Sequence, residues 1–100
     1  MSESVWSLYM LRCADGTIYT GISNDVDRRV AKHNAGKGAK YTRPQHRRPA
    51  VLVFTQVCGT LSDTMKEECR IKLMSKREKE ALIKQFANQQ QQRCPQGVPA

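Results

Sequence analysis

Tyr9, Tyr19, Arg29, His33 and Glu68 are the side chains of this sequence whose types and spacing could do chemistry. Phenols can orient water, and a guanidinium presents a planar donor fork that matches a phosphate. Arg29 and His33 stand four apart, so on a helix they stack on one side. Taken singly, each residue has an ordinary reading: strand aromatics packing a core, a surface charge, a rim glutamate beside an apolar stripe, a packed helix-end imidazole.

The surrounding charge favours the phosphate reading. Lys and Arg number 17 against nine Asp and Glu, a net charge of +8 with a pI near 9.7. A field of that sign draws polyanions, and nucleic acid is the leading partner class. The residues of the segment 36–49 include Lys37, Lys40, Arg43, Arg47 and Arg48 and no acid. This composition reads as an exposed basic loop facing phosphates, with contacts that are largely independent of base sequence. Lys76, Arg77 and Lys79 read instead as a solvated helix face, offset by Glu78 and Glu80. Cys13, Cys58, Cys69 and Cys94 lack the paired spacing of a zinc site and read as reduced thiols, the first three buried. Met1–Val5 is polar, and no apolar run approaches the ~20 residues of a membrane span, so a cytoplasmic protein is expected.

The elements that must hold these groups follow from pattern. A chain of 100 residues has room for one core. Trp6 to Cys13 and Thr17 to Ser23 read as strands around the punctuation Ala14-Asp15-Gly16. Here loop length decides the chemistry. A two-residue turn at Asp15-Gly16 would set Tyr9 opposite Ile22 and put the two phenols on opposite faces. A three-residue loop with Gly16 left-handed pairs Cys13 with Thr17, Leu11 with Tyr19 and Tyr9 with Gly21, so both phenols share a face; this register is the one expected.

A helix is expected over Asp25 to Ala35, capped by Asn24 or Asp25 and stopped by Gly36, with Val26 and Val30 buried and Arg28 pointing away from Arg29. A third strand covers Ala50 to Val57. Leu61, Met65, Cys69 and Leu73 fall four apart, which predicts a helix over Leu61 to Met74 burying that stripe. Ser75 and Glu78 form a capping box for a last helix with Leu82, Ile83 and Phe86 on its apolar face, ending near Asn88. The domain is expected over residues 1–87, with the Gln-rich segment 88–100 disordered. The fold class is α+β: a small three-stranded antiparallel sheet flanked by helices, in the order β-β-α-β-α-α.

That order, carrying Tyr9, then Tyr19-Thr20-Gly21, then Arg29, His33 and the segment Glu68-Cys69-Arg70-Ile71-Lys72, resembles the GIY-YIG nuclease superfamily over about Trp6 to Phe86. Ser7-Leu8-Tyr9 stands for the first tripeptide, with serine in place of glycine. The stretch 36–42 is similar to the stand-alone bacterial YhbQ and YazA branch (UPF0213-like). The resemblance implies an endonuclease that hydrolyses DNA phosphodiester bonds with low sequence specificity, in repair or recombination, on branched, damaged or single-stranded forms. It implies Tyr9, Tyr19, Arg29, His33 and Glu68 as catalytic residues and Glu68 as the side-chain ligand of a divalent ion, Mg2+ or Mn2+. Tyr19 would orient or deprotonate the water, supported by Tyr9 and His33, and Arg29 would brace the phosphate. Arg28, Lys37, Lys40, Arg43, Arg47 and Arg48 make up the nucleic-acid-binding set. The alternative is a non-catalytic module that binds DNA or structured RNA.

Overall fold

The computed structural model describes residues 5–97, with side chains to residue 89. Strands β1 (Trp6–Arg12), β2 (Ile18–Ser23) and β3 (Val51–Gly59) form one antiparallel sheet in the order β2-β1-β3. Three helices, α1 (Val26–Asn34), α2 (Leu61–Lys72) and α3 (Lys76–Gly97), follow in the expected α+β order. Among the described residues no helix is long and apolar enough to cross a membrane.

The hairpin has the three-residue loop. Tyr9 pairs with Gly21 and Leu11 with Tyr19. The Cys13 amide donates to Thr17 O at 2.8 Å and the Gly16 amide to Cys13 O at 2.9 Å. Gly16 takes φ +88°, a left-handed conformation that glycine adopts without steric cost. Strand alternation then sorts the side chains into two cores. Leu8, Met10 and Phe54 face Ile71 of α2 and Ile83 of α3. Tyr9, Leu11 and Cys13 lie on the other face, packed with Tyr19, Val26, Val30 and Tyr41. Arg12 ties the first layer to α3 through both carboxylate oxygens of Glu80, at 2.8 and 2.6 Å.

Helix α2 buries a different face from the one expected. Thr64 and Ile71 are buried, with Glu67 and Glu68 half-buried between them. Leu61, Met65, Cys69 and Leu73 are exposed, Met65 to 54% and Leu73 to 84%. Cys58 is half-buried, so only Cys13 of the three described thiols is in the core. The positions 64, 67, 68 and 71 also have helical spacing. The sheet takes this more polar face because the Thr64 hydroxyl turns back to Thr60 O at 2.6 Å and Gln56 donates to Glu67 at 3.2 Å, which satisfies the polar groups.

Helix α3 begins at the expected capping box, the Ser75 amide donating to Glu78 Oε1 at 2.9 Å and the Glu78 amide to Ser75 Oγ at 3.2 Å. It runs on to Gly97, past the end expected near Asn88, through glutamines that have good helix propensity. The remainder of the tail expected to be disordered, 98–100, lies outside the described residues.

The basic segment is more built than a solvated loop. It contains two short 3-10 turns, Lys40–Thr42 and Gln45–Arg47, and buries Gly38 and Thr42. Its attachment is polar: the Ala14 amide donates to Arg47 O at 3.0 Å, and the Arg47 guanidinium reaches Asp15 at 3.1 Å. Asn34, at the end of α1, both donates to Ala50 O at 3.0 Å and accepts from the Ala50 amide at 2.6 Å. One amide side chain thus pins the start of β3 to α1.

Candidate active site

The shared face of the hairpin brings the two phenols and the α1 side chains together. Tyr9 and Tyr19 ring centroids are 6.3 Å apart, and His33 lies 5.9 Å from the first and 5.1 Å from the second. Tyr9 can cross this site only because position 21 is glycine. A Cβ there would sit 2.7 Å from the Tyr9 hydroxyl and 2.9 Å from the Tyr19 ring. The serine at position 7 pairs with Ser23, two residues before Tyr9 on β1.

His33 is fully buried on α1, which starts at the Asp25 cap, whose carboxylate accepts from the Arg28 amide at 3.2 Å. The Tyr9 hydroxyl lies 2.8 Å from His33 Nε2, and His33 Nδ1 lies 2.6 Å from the Thr42 hydroxyl. Thr42 in turn donates to Ala39 O at 3.1 Å. One proton assignment satisfies every group. Thr42 spends its only proton on Ala39 O and accepts from His33 Nδ1–H, which leaves Nε2 to accept from Tyr9. His33 is therefore a neutral, Nδ1-protonated imidazole. Burial, and secondarily the charge of Arg29, hold it there by lowering its pKa to about 4.

The Tyr9 phenol is pushed up to about 12, first by burial and then by Tyr19, against the opposing influence of the Arg29 guanidinium that donates to it. The Glu68 charge also acts on Tyr9 in the upward direction, so α2 brings Glu68 within electrostatic reach of the phenol. Tyr9 is thus a neutral group bonded to His33, with the charges of Arg29 and Glu68 both acting on it. Tyr19 is half-buried, and among the described residues its hydroxyl makes no hydrogen bond. It is the phenol open to water.

Glu68 pairs with Lys72 at 3.2 Å, one turn along α2. Such a pair on a helix contributes only about 0.3–0.5 kcal/mol, so the carboxylate can exchange partners at little cost. Among the described residues no group of three or more His, Cys, Asp or Glu side chains converges to cage a metal. A single carboxylate fits a hard divalent ion that keeps most of its shell as water and phosphate oxygens, and it does not fit an all-protein zinc or calcium cage.

The basic residues divide. Arg28 is exposed and Arg29 half-buried, and with Lys32 they line a cleft of about 380 Å³ at the end of β2. Lys37, Lys40 and Arg43 are exposed, although Arg43 Nε donates to Gly38 O at 3.2 Å. Arg47 is committed inward: it bonds Asp15 and Tyr41 O and lies 4.1 Å over the Tyr41 ring. The Arg48 guanidinium packs over Gly36, where an added Cβ would meet its Nη1 at 2.9 Å.

Sequence reasoning missed Thr42, Gly38 and Tyr41. A Cβ at Gly38 would meet His33 Nδ1 at 2.5 Å, so glycine there lets the segment close over the imidazole. Tyr41 stands 5.8 Å from Tyr19 and extends the aromatic row. These residues sit in a stretch without periodicity, where only the Gly-x-Gly-Ala-x-Tyr-Thr pattern of residues 36–42 could have drawn attention.

The chain matches the GIY-YIG catalytic domain over residues 5–82. It belongs to the GIY-YIG family. Within it, the chain is similar to UPF0213 proteins: that of Halobacterium salinarum is 52% identical over 76 residues, covering 76% of this chain and 96% of the relative. That of Yersinia pestis is 49% identical over 83 residues, covering 83% and 85%. The solution structure of a UPF0213 protein from Bacillus halodurans superposes with a TM-score of 0.51 at 45% identity, over 80% of this chain and 83% of that one. A solution structure from E. faecalis gives a TM-score of 0.58 at 36% identity, over 86% and 90%.

Proposed function

We propose that this GIY-YIG protein is a metal-dependent endonuclease that hydrolyses DNA phosphodiester bonds with low sequence specificity, serving repair or recombination. The observation that carries the reading is the placement of Tyr9: bonded to His33, beside Arg29, within reach of the Glu68 charge, and sharing its sheet face with Tyr19.

Arg29 braces the scissile phosphate through its donor fork. Tyr19, the phenol open to solvent, orients the attacking water, and the ring of Tyr9 with His33 behind it fixes where Tyr19 stands. Because Tyr9 stays protonated to about pH 12, its part at neutral pH is to hold and donate, with its proton directed at His33 Nε2. Glu68 would hold Mg2+ or Mn2+, which would neutralise charge at the phosphate and leaving oxygen. Low specificity follows from the small surface available and from basic side chains that meet phosphates rather than base edges. The substrate forms that suit so small a site are branched, damaged or single-stranded DNA.

The test incubates purified protein with plasmid and branched DNA, with and without magnesium or manganese, beside Arg29→Ala and Glu68→Ala. Metal-dependent cutting that both substitutions abolish supports the enzyme. Retention of DNA or structured RNA without cutting in any sample would make the chain a binding module instead.

A further inference from the structure

Strand β2 is an edge strand, and a positively charged pocket lies at each of its ends. One is the cleft lined by Arg28, Lys32 and Arg29, the residue that braces the phosphate in the proposed reaction. The other, about 210 Å³, is lined by Thr17, Ile18, Tyr41, Lys76 and Lys79 and contains no acid. It is assembled from three separate parts of the chain: the start of β2, the first 3-10 turn, and the first turn of α3.

The charge state of this second pocket is set by how its neighbours are occupied. Lys76 Nζ donates to Gly16 O at 3.3 Å, which holds the ammonium against the hairpin with donors to spare. Its near acid, Glu80, is taken by Arg12 through both oxygens. Glu78 caps α3 at the Ser75 amide, and Asp15 is held by Thr17 and Arg47. Lys79, half-buried, forms no ion pair among the described residues. Two ammoniums therefore face a pocket whose surrounding carboxylates already have partners. Tyr41 joins it to the catalytic face, since its ring lies 5.8 Å from that of Tyr19.

We infer that Lys76 and Lys79, with Tyr41 and Thr17, form a second phosphate subsite, which grips the DNA backbone several nucleotides from the bond that is cut. Three residues of β2, Tyr19, Thr20 and Gly21, separate the linings of the two pockets, an Ile18-to-Ile22 span of about 13 Å at strand rise, on the order of four base steps of a duplex. The apolar wall of Ile18 suits a deoxyribose beside the gripped phosphate. The inference rests on the nuclease reading for its DNA substrate but makes a separate claim. The two cations of α3, which look like part of a solvated helix face in the sequence, give the DNA a second anchor.

The test is binding of fluorescein-labelled duplexes in EDTA, read by anisotropy over a range of salt. A long duplex of about 30 base pairs is used, because it spans both pockets. The variant K76A/K79A is set beside K66A/K84A, which removes the same charge from elsewhere on α2 and α3. The first pair is expected to weaken binding of the long duplex by about tenfold or more and to reduce the salt slope by about two, one per lysine. The control pair leaves the slope unchanged. Equal slopes for the two pairs overturn the subsite, as does failure of the unaltered protein to bind the long duplex. Binding with the two-lysine signature but no cutting in any metal would retain the subsite and remove the nuclease reading. Cutting with equal slopes would do the reverse.

Discussion

The Tyr9 hydroxyl stands 2.8 Å from Nε2 of His33, a residue 24 positions along the chain, and burial keeps both groups neutral where they meet. His33 is neutral so that it can accept, and Tyr9 stays protonated so that it can donate. Thr42 completes the row by accepting from Nδ1, at 2.6 Å. Thr42→Val keeps the shape but leaves buried His33 Nδ1–H without an acceptor, while Ala39 O keeps only the backbone amide of residue 42. It is expected to destabilise the fold by about 1–3 kcal/mol in urea titrations and to slow cleavage, with Thr42→Ser largely restoring both. A Val variant of unchanged stability and rate would remove Thr42 from the row.

Folding lowers His33 from its ordinary value near ~6.5 to about 4. Between those values the unfolded chain binds a proton that the folded chain refuses. The stabilisation is therefore complete above about pH 6.5 and is lost as pH falls towards 4, on the order of 3 kcal/mol at most. Urea midpoints measured across this window should fall with pH in the natural protein, and His33→Gln should flatten that dependence. Long-range nitrogen NMR should show a neutral Nδ1–H ring at pH 6; a ring titrating near 6.5 would contradict the buried row.

Gly21→Ala places a methyl where the Tyr9 hydroxyl now lies. Tyr9 must move off His33 or the strands must separate, at a cost of about 1–3 kcal/mol. Cleavage is expected to fall by about tenfold or more, since a displacement of the phenol costs transition-state stabilisation even when the fold survives. Retention of full activity would mean that the closeness of Gly21 to Tyr9 is incidental.

On α2 the buried and exposed faces predict opposite responses. Ile71→Ala removes a fully buried side chain and should cost about 2–5 kcal/mol, whereas Met65→Ser or Leu73→Ser should stay within about 0.5 kcal/mol. Urea denaturation of the three variants decides it. A large loss at Met65 or Leu73 would restore the stripe that the spacing of apolar residues alone suggests.

That stripe shows where the sequence was legible and where it was not. The hairpin register could be read because period-two alternation and the glycine of a three-residue loop constrain it, and a slip of one residue would have split Tyr9 from Tyr19. The α1 start was legible from Asp25, and the α3 start from Ser75 and Glu78, since caps are local. The inward face of α2 was not, because two stripes share its period and the choice is made by distant groups such as Gln56 on β3. Within the site, Tyr9, Tyr19, Arg29 and Glu68 were legible through the family's ordered motifs. Thr42 and Gly38 were not: they act from an aperiodic segment, through a contact with His33 that only the closed fold creates. The inward commitment of Arg47 to Asp15 and Tyr41 was equally invisible in a run of like charges.

The central claim is that the Tyr9 cluster and Glu68 form one metal-dependent nuclease site. Its most direct test is nicking of supercoiled plasmid in magnesium or manganese, followed against an EDTA control with Arg29→Ala and Glu68→Ala alongside, each checked for folding by circular dichroism. The account predicts cutting only when metal is present, reduced by two orders of magnitude or more, about 3 kcal/mol, in each folded variant. Cutting that persists in Glu68→Ala, or none by the unaltered protein in either metal, would contradict it.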